Sequence, residues 1–200
     1  GAGNDTIGGD QGNDTIDAGD GDDRVDAGEG NNTVEGGKGF DRIVLGALGA
    51  NVASGGDDND TIIGAAGADS LSGDAGSDSL SGGDGDDKIE GNFGNDSLYG
   101  GNGNDTLTDD QGSNLLDGGA GNDNLTSRSL SGEHTLLGGA GNDSLNATGL
   151  KVSLDGGDQD DNLNVTGQLQ QGGSTSYVMD GQATLLGGAG NDSLNVNYYA

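Results

Sequence analysis

Between Gly55 and Thr126 an acid or its amide returns at every ninth position: Asp60, Asp69, Asp78, Asp87, Asp96, Asp105, then Asn114, then Asp123. Ahead of each lies a short run rich in glycine, as in Gly100-Gly101-Asn102-Gly103-Asn104-Asp105. Glycine supplies positive φ and close backbone approach, so such a loop can turn its carbonyl oxygens toward the carboxylate that ends it. Carboxylate and carbonyl oxygens together suit a hard cation that takes six to eight oxygens at ~2.3–2.6 Å, as Ca²⁺ does.

The element that must position these acids follows at once. Two places after each stands one large aliphatic residue: Ile62, Leu71, Leu80, Ile89, Leu98, Leu107, Leu116 and Leu125. In a three-residue strand the middle side chain faces one way and its neighbours the other, so this residue turns inward. A fixed nine-residue period marks a repeat architecture and outranks residue-by-residue propensity. A flexible glycine-rich linker has no reason to keep an acid and an aliphatic two places apart in every copy.

The phrase G-G-x-G-x-D-x-U-x, with U a large aliphatic, resembles the nonapeptide of the RTX (hemolysin-type calcium-binding) family over nearly the whole chain. The resemblance implies an all-β fold: a parallel β-roll, that is, a calcium-bound right-handed β-solenoid with two nonapeptides per turn. Each repeat would give a six-residue calcium loop and a three-residue strand. Metal ligation is thereby expected at Asp5, Asp14, Asp23, Asn32, Asp41, Asp60, Asp69, Asp78, Asp87, Asp96, Asp105, Asn114, Asp123, Asp143, Asp161 and Asp192. Backbone ligands are expected at the loop glycines Gly85, Gly94, Gly103, Gly121, Gly141 and Gly190. Each site would belong to two successive loops, giving roughly twelve calcium ions, enough to offset most of the formal charge of −29.

Two repeats per turn assign alternate loops to opposite edges. One edge carries Asp5, Asp23, Asp41, Asp60, Asp78, Asp96 and Asn114; the other carries Asp14, Asn32, a defective loop near Asn51, then Asp69, Asp87, Asp105 and Asp123. The chain divides into roll repeats over 1–46, a degenerate or bulged turn over 47–54, roll repeats over 55–126, and a degenerate continuation over 127–200. The spacing from Asp41 to Asp60 is one residue more than a turn, which a bulge absorbs. Asp143 and Asp161 stay in phase with the second edge, whereas Ser127 to His134 and Asn146 to Ser153 lack the pattern. Calcium is therefore expected along one edge only in the last third. The path of residues 165–183 is left open.

Departures from the pattern carry their own expectations. Asn32 and Asn114 keep an oxygen but lose the charge, so their sites should be weaker. Asp58 and Asp160 stand where the second loop glycine belongs, straining those loops or adding a ligand. Arg24, Arg42 and Lys88 follow ligand positions and should point outward as solvated charges.

Composition is that of a chain unable to fold unaided: 46 Gly, 35 acidic against 6 basic residues, no Cys and no Pro. One aliphatic per nine residues does not offset the entropy of ordering them. Crowded carboxylates widen the deficit, so metal binding should be coupled to folding. The acidic balance argues against nucleic acid, and no apolar run approaches transmembrane length. With His134 the only histidine and no Cys, a catalytic constellation is not expected. An EF-hand fails at Leu163, which stands where that loop needs glycine. The chain begins inside a repeat and reads as a piece of a longer polypeptide. The resemblance implies a secreted or cell-surface bacterial protein, exported by a type I apparatus and folding on calcium outside the cell. The alternatives are a structural or adhesive spacer, or the tail of an exported hydrolase or toxin whose catalytic domain lies elsewhere.

Overall fold

The computed structural model describes residues 1–149, 151–168, 170–172, 176–178 and 182–199. Among the described residues, successive strands of the roll alternate between two ten-stranded sheets, every neighbouring pair in each being parallel and, in the regular region, eighteen residues apart. Thr61–Ala66, Ser79–Asp84 and Ser97–Asn102 lie in one sheet, Ser70–Ala75 and Lys88–Phe93 in the other. Leu80 stands beside Leu98, and Leu71 beside Ile89. The chain is an all-β solenoid, as the nonapeptide period predicts.

The core is a double ladder of the repeat's aliphatic residues. Ile62, Leu80, Ile89, Leu98, Leu107, Leu116 and Leu125 are wholly buried, their sequence neighbours facing outward in the two-residue alternation of a strand. Two places further along, the inward side is taken by glycine. At Gly82 and Gly100 a β-carbon would collide with the carboxylate of Asp87 or Asp105, so these loops close over a residue with no side chain; in other turns the same inward place holds Ala18, Ala27, Leu45, Asp109 or Ser127.

Irregular turns are absorbed outside the strands. Gly46 stacks on Gly28 but Gly49 on Gly30, which places the extra residue between Gly46 and Gly49, in the turn before the strand Val52–Asp57. The excursion left open by sequence is partly a hairpin, Gln170–Gly172 pairing antiparallel with Ser176–Val178. The roll then resumes at Gln182–Ala189 beside Lys151–Asp158.

Candidate metal sites along the two edges

The two edges form as the parity of the repeat requires. In each loop the backbone N–H of the ligand-position residue donates to Oδ1 of its counterpart one turn later. On one edge the bonds run Asp60 to Asp78 at 2.8 Å, Asp78 to Asp96 at 2.7 Å and Asp96 to Asn114 at 2.9 Å. That column begins with Asp5, Asp23 and Asp41. The other edge runs Asp14, Asn32, Asn51, Asp69, Asp87, Asp105, Asp123, Asp143, Asp161 and Asp192. The last step spans thirty-one residues and steps over the hairpin.

Oδ1 is thus used, and Oδ2 is not. In Asp14, Asp23, Asp41, Asp60, Asp69, Asp78, Asp87, Asp96, Asp105, Asp123, Asp143 and Asp161, Oδ2 is buried without a hydrogen-bond partner. An unpartnered buried carboxylate oxygen is strongly unfavourable unless something positive faces it. All but that of Asp23, whose loop opens with Ala18, point into the hollow over the loop's first glycine. A β-carbon built on Gly36 would lie 2.5 Å from both Asp41 Oδ2 and Gly55 O, the carbonyl one turn on. The same pairing of carboxylate and next-turn carbonyl crowds Gly64 (Asp69, Gly82), Gly100 (Asp105, Gly118) and Gly138 (Asp143, Gly156). Among the described residues no three acidic or histidine side chains gather at one point. A cation held here would therefore draw on backbone carbonyls as well as carboxylates, which is a hard-cation donor set.

The expected glycines line the same loops. Gly85, Gly94, Gly103, Gly121 and Gly141 have φ between 135° and 142°, and Gly190 is also in positive φ. The carbonyls of Gly85, Gly94, Gly103 and Gly121 point at the equivalent glycine of the next turn. The first-position carbonyls of Gly55, Gly82, Gly118 and Gly156, which face the free Oδ2 atoms, were not singled out by sequence, although the first glycine of every phrase marks them.

Burial raises several of these carboxyls. Asp60, Asp78 and Asp87 rise from 3.8 to about 7, desolvation leading and neighbouring Asp charges adding, while the accepted backbone N–H works the other way. Asp123 and Asp143 rise to about 6 for the same reasons. The amide variants instead supply their own hydrogen-bond donor. Asn114 Nδ2 donates to Gln111 O at 2.9 Å, Asn32 Nδ2 to Gly28 O at 3.2 Å and Asn51 Nδ2 to Asp69 Oδ1 at 3.0 Å.

Beyond Asn114 the first-edge column changes character. Register places His134, then Val152, then Ala183 at the ligand position. His134 is 1% exposed; Nε2–H donates to Ser129 O at 3.1 Å, and Nδ1 accepts from Ser127 Oγ at 3.0 Å. Burial lowers its pKa. Ala147, Val152 and Val165 then fill the interior on that side.

Two expectations need correction. The positive-φ residue in the loop of Asp161 is Gln159 (φ 80°), so Gln159 replaces the second loop glycine. Asp160 occupies the next place, where its Oδ1 accepts from Asn191 N–H at 2.8 Å. Asp58 is as expected, at φ 78°. Arg24 and Lys88 are exposed, and Lys88 pairs with Glu90 at 2.7 Å. Arg42, however, is half-buried and one guanidinium nitrogen is out of solvent; its register neighbours are Arg24 and Thr61.

Neither a curated protein nor a solved structure matches the chain. A model of the RTX calcium-binding nonapeptide repeat, four copies long, matches residues 1–34, 26–47, 45–80, 63–98, 72–107, 99–129 and 178–197. With calcium-binding phrases over most of its length and their acids stacked in two columns, the chain belongs to the RTX calcium-binding nonapeptide repeat family.

Proposed function

We propose that this roll is a calcium-operated folding switch in a secreted protein: extended while calcium is scarce inside the cell, folded where calcium is abundant outside. The supporting observation is the double row of buried Oδ2 atoms without partners. Bound calcium supplies the positive charge those oxygens lack and joins one turn to the next. Asp60, Asp78 and Asp96, and Asp69, Asp87 and Asp105, would each serve the sites above and below them. The chain's charge of −29 favours extension until the cation arrives. A polymer that is extended on one side of a membrane and folded on the other cannot slide back, which suits passage through a type I apparatus. Roughly a dozen sites fit two loops each. On the first edge the row ends near Asn114, because His134, Val152 and Ala183 offer no carboxylate; the second edge continues to Asp192. Counting the sixth-position ligand alone, the sites that use Asn32 and Asn114 are weaker, their own amides already occupying nearby acceptors.

Far-UV circular dichroism during a calcium titration, with magnesium as control, tests the switch. A coil-to-β transition with calcium, absent with magnesium and reversed by chelator, is expected. A spectrum already β-rich in chelator sinks the reading and leaves a permanent structural roll.

A further inference from the structure

The loop Asp109-Asp110-Gln111-Gly112-Ser113-Asn114 departs from the repeat twice. It loses the acid at its sixth position and gains one at its first, where most loops have glycine and the others alanine, leucine or serine. The two changes meet in space. Asp109 ends the strand Thr106–Asp109, directly after Thr108, the register partner of Glu90, and so stands beside Gly91, the first residue of the loop that ends in Asp96. Asp109 is 1% exposed, and its Oδ2 is buried without a hydrogen-bond partner. Its Oδ1 accepts Gln111 N–H at 3.0 Å, which fixes the direction of the carboxylate. Asp109 Oδ2 comes closest of all atoms to the β-carbon position of Gly91, and Asp96 Oδ2 lies 2.7 Å from the same point. In the hollows over Gly64, Gly100 and Gly138 the second oxygen is a glycine carbonyl from the next turn; over Gly91 it is a carboxylate.

Resting on the calcium reading above, we infer that Asp109 is a calcium ligand, the closing ligand of the first-edge row. The row ends here because the next ligand position is His134. The site between the loops of Asp96 and Asn114 therefore has an amide where its neighbours have an acid, and no further acid above it. Asp109 returns the missing negative charge from the opposite end of the same loop, reaching the hollow that Asp96 lines. Without a cation or a shared proton, two carboxylate oxygens facing each other in a desolvated hollow are strongly unfavourable. Ligand charge count tunes calcium affinity, so this end site is as strong as an interior one.

The test uses the full chain, calcium alone, equilibrium dialysis for bound calcium and circular dichroism for folding. Asp109→Gly restores the common glycine and is expected to bind one calcium fewer, that site weakening about tenfold or more, with the folded spectrum unchanged at saturating calcium. Adding Asn114→Asp to Asp109→Gly returns the acid to its usual place and restores the lost ion. Asp109→Asn keeps the size and the Gln111 contact, so it loses the same ion should the glycine variant not fold. Asp110→Asn, at an exposed neighbour paired with Arg128, binds as the parent does. Parent-like stoichiometry and midpoint in both Asp109 variants overturns the inference alone. A parent chain that takes up no calcium overturns the switch reading as well.

Discussion

The proton balance of folding distinguishes a coil that folds on calcium from a roll that is already formed and merely exchanges protons for it. Asp60, Asp78 and Asp87 are held up at about 7, and Asp109 at about 8, burial being the leading cause in each. Ionising one of the first three inside the roll without a counter-charge costs roughly 4 kcal/mol. The three together are of the order of the ~5–15 kcal/mol margin of an ordinary domain. Because these folded-state values are raised, a roll lacking calcium binds more protons than the coil between 3.8 and about 7. Its stability is fullest below the coil value and is lost as pH rises through the folded one. At neutral pH in chelator the chain is therefore expected to be a coil. At about pH 6 the coil is ionised and so is the calcium-bound roll, so folding on calcium should release fewer than about one proton per chain. A preformed roll would hold protons on those four carboxyls and on about half of Asp123 and Asp143, and release about four to five. Isothermal titration in two buffers of different ionisation enthalpy measures the number directly. Release of about four to five protons, or a β-rich spectrum in chelator at neutral pH, would refute the reasoning.

Asp87→Ala removes the acceptor of Asp69 N–H and a carboxylate from the middle of a column. It should bind two fewer calcium ions and lose about 1–3 kcal/mol of folding free energy, whereas Asp5→Ala, at the end of its column, should lose one ion at most; dialysis and denaturant melts compare them. Asn32→Asp replaces an amide committed to Gly28 O with a charged ligand. One more bound calcium and a lower folding midpoint are expected, with no gain of structure in chelator. His134→Val leaves Ser129 O and Ser127 Oγ without their partner and should cost about 1–3 kcal/mol in thermal melts at saturating calcium, with bound calcium unchanged. The same stretch has the longer strands Glu133–Ala140 and Lys151–Asp158, and Val152 and Leu154 face inward from the second. Its amides should be the last to exchange with deuterium as calcium is lowered; early exchange there would contradict a larger apolar share of its stability.

How much of this was legible in the sequence follows from what the period encodes. Nine residues fix the phase of every acid, and two phases per turn assign Asp78 and Asp96 to one edge and Asp87 and Asp105 to the other by spacing alone. The inward places of Leu80, Ile89 and Leu98 follow from the same spacing. What a period does not encode is the occupant of the space one turn away. Asp109 reads locally as a spoiled glycine; its role depends on Gly91 and Asp96, which contact it only because the roll brings residues eighteen apart into register. His134 likewise reads as the end of a broken loop, until register places it above Asn114 with two serine contacts where a carboxylate column had been. In a solenoid each turn is stabilised chiefly by its neighbours, so a departure from the consensus can be judged only against the loops above and below it. By that criterion Asn114 and Asp109 are one compensated change rather than two defects, because the charge removed from the sixth position re-enters the hollow beside Asp96 from the first.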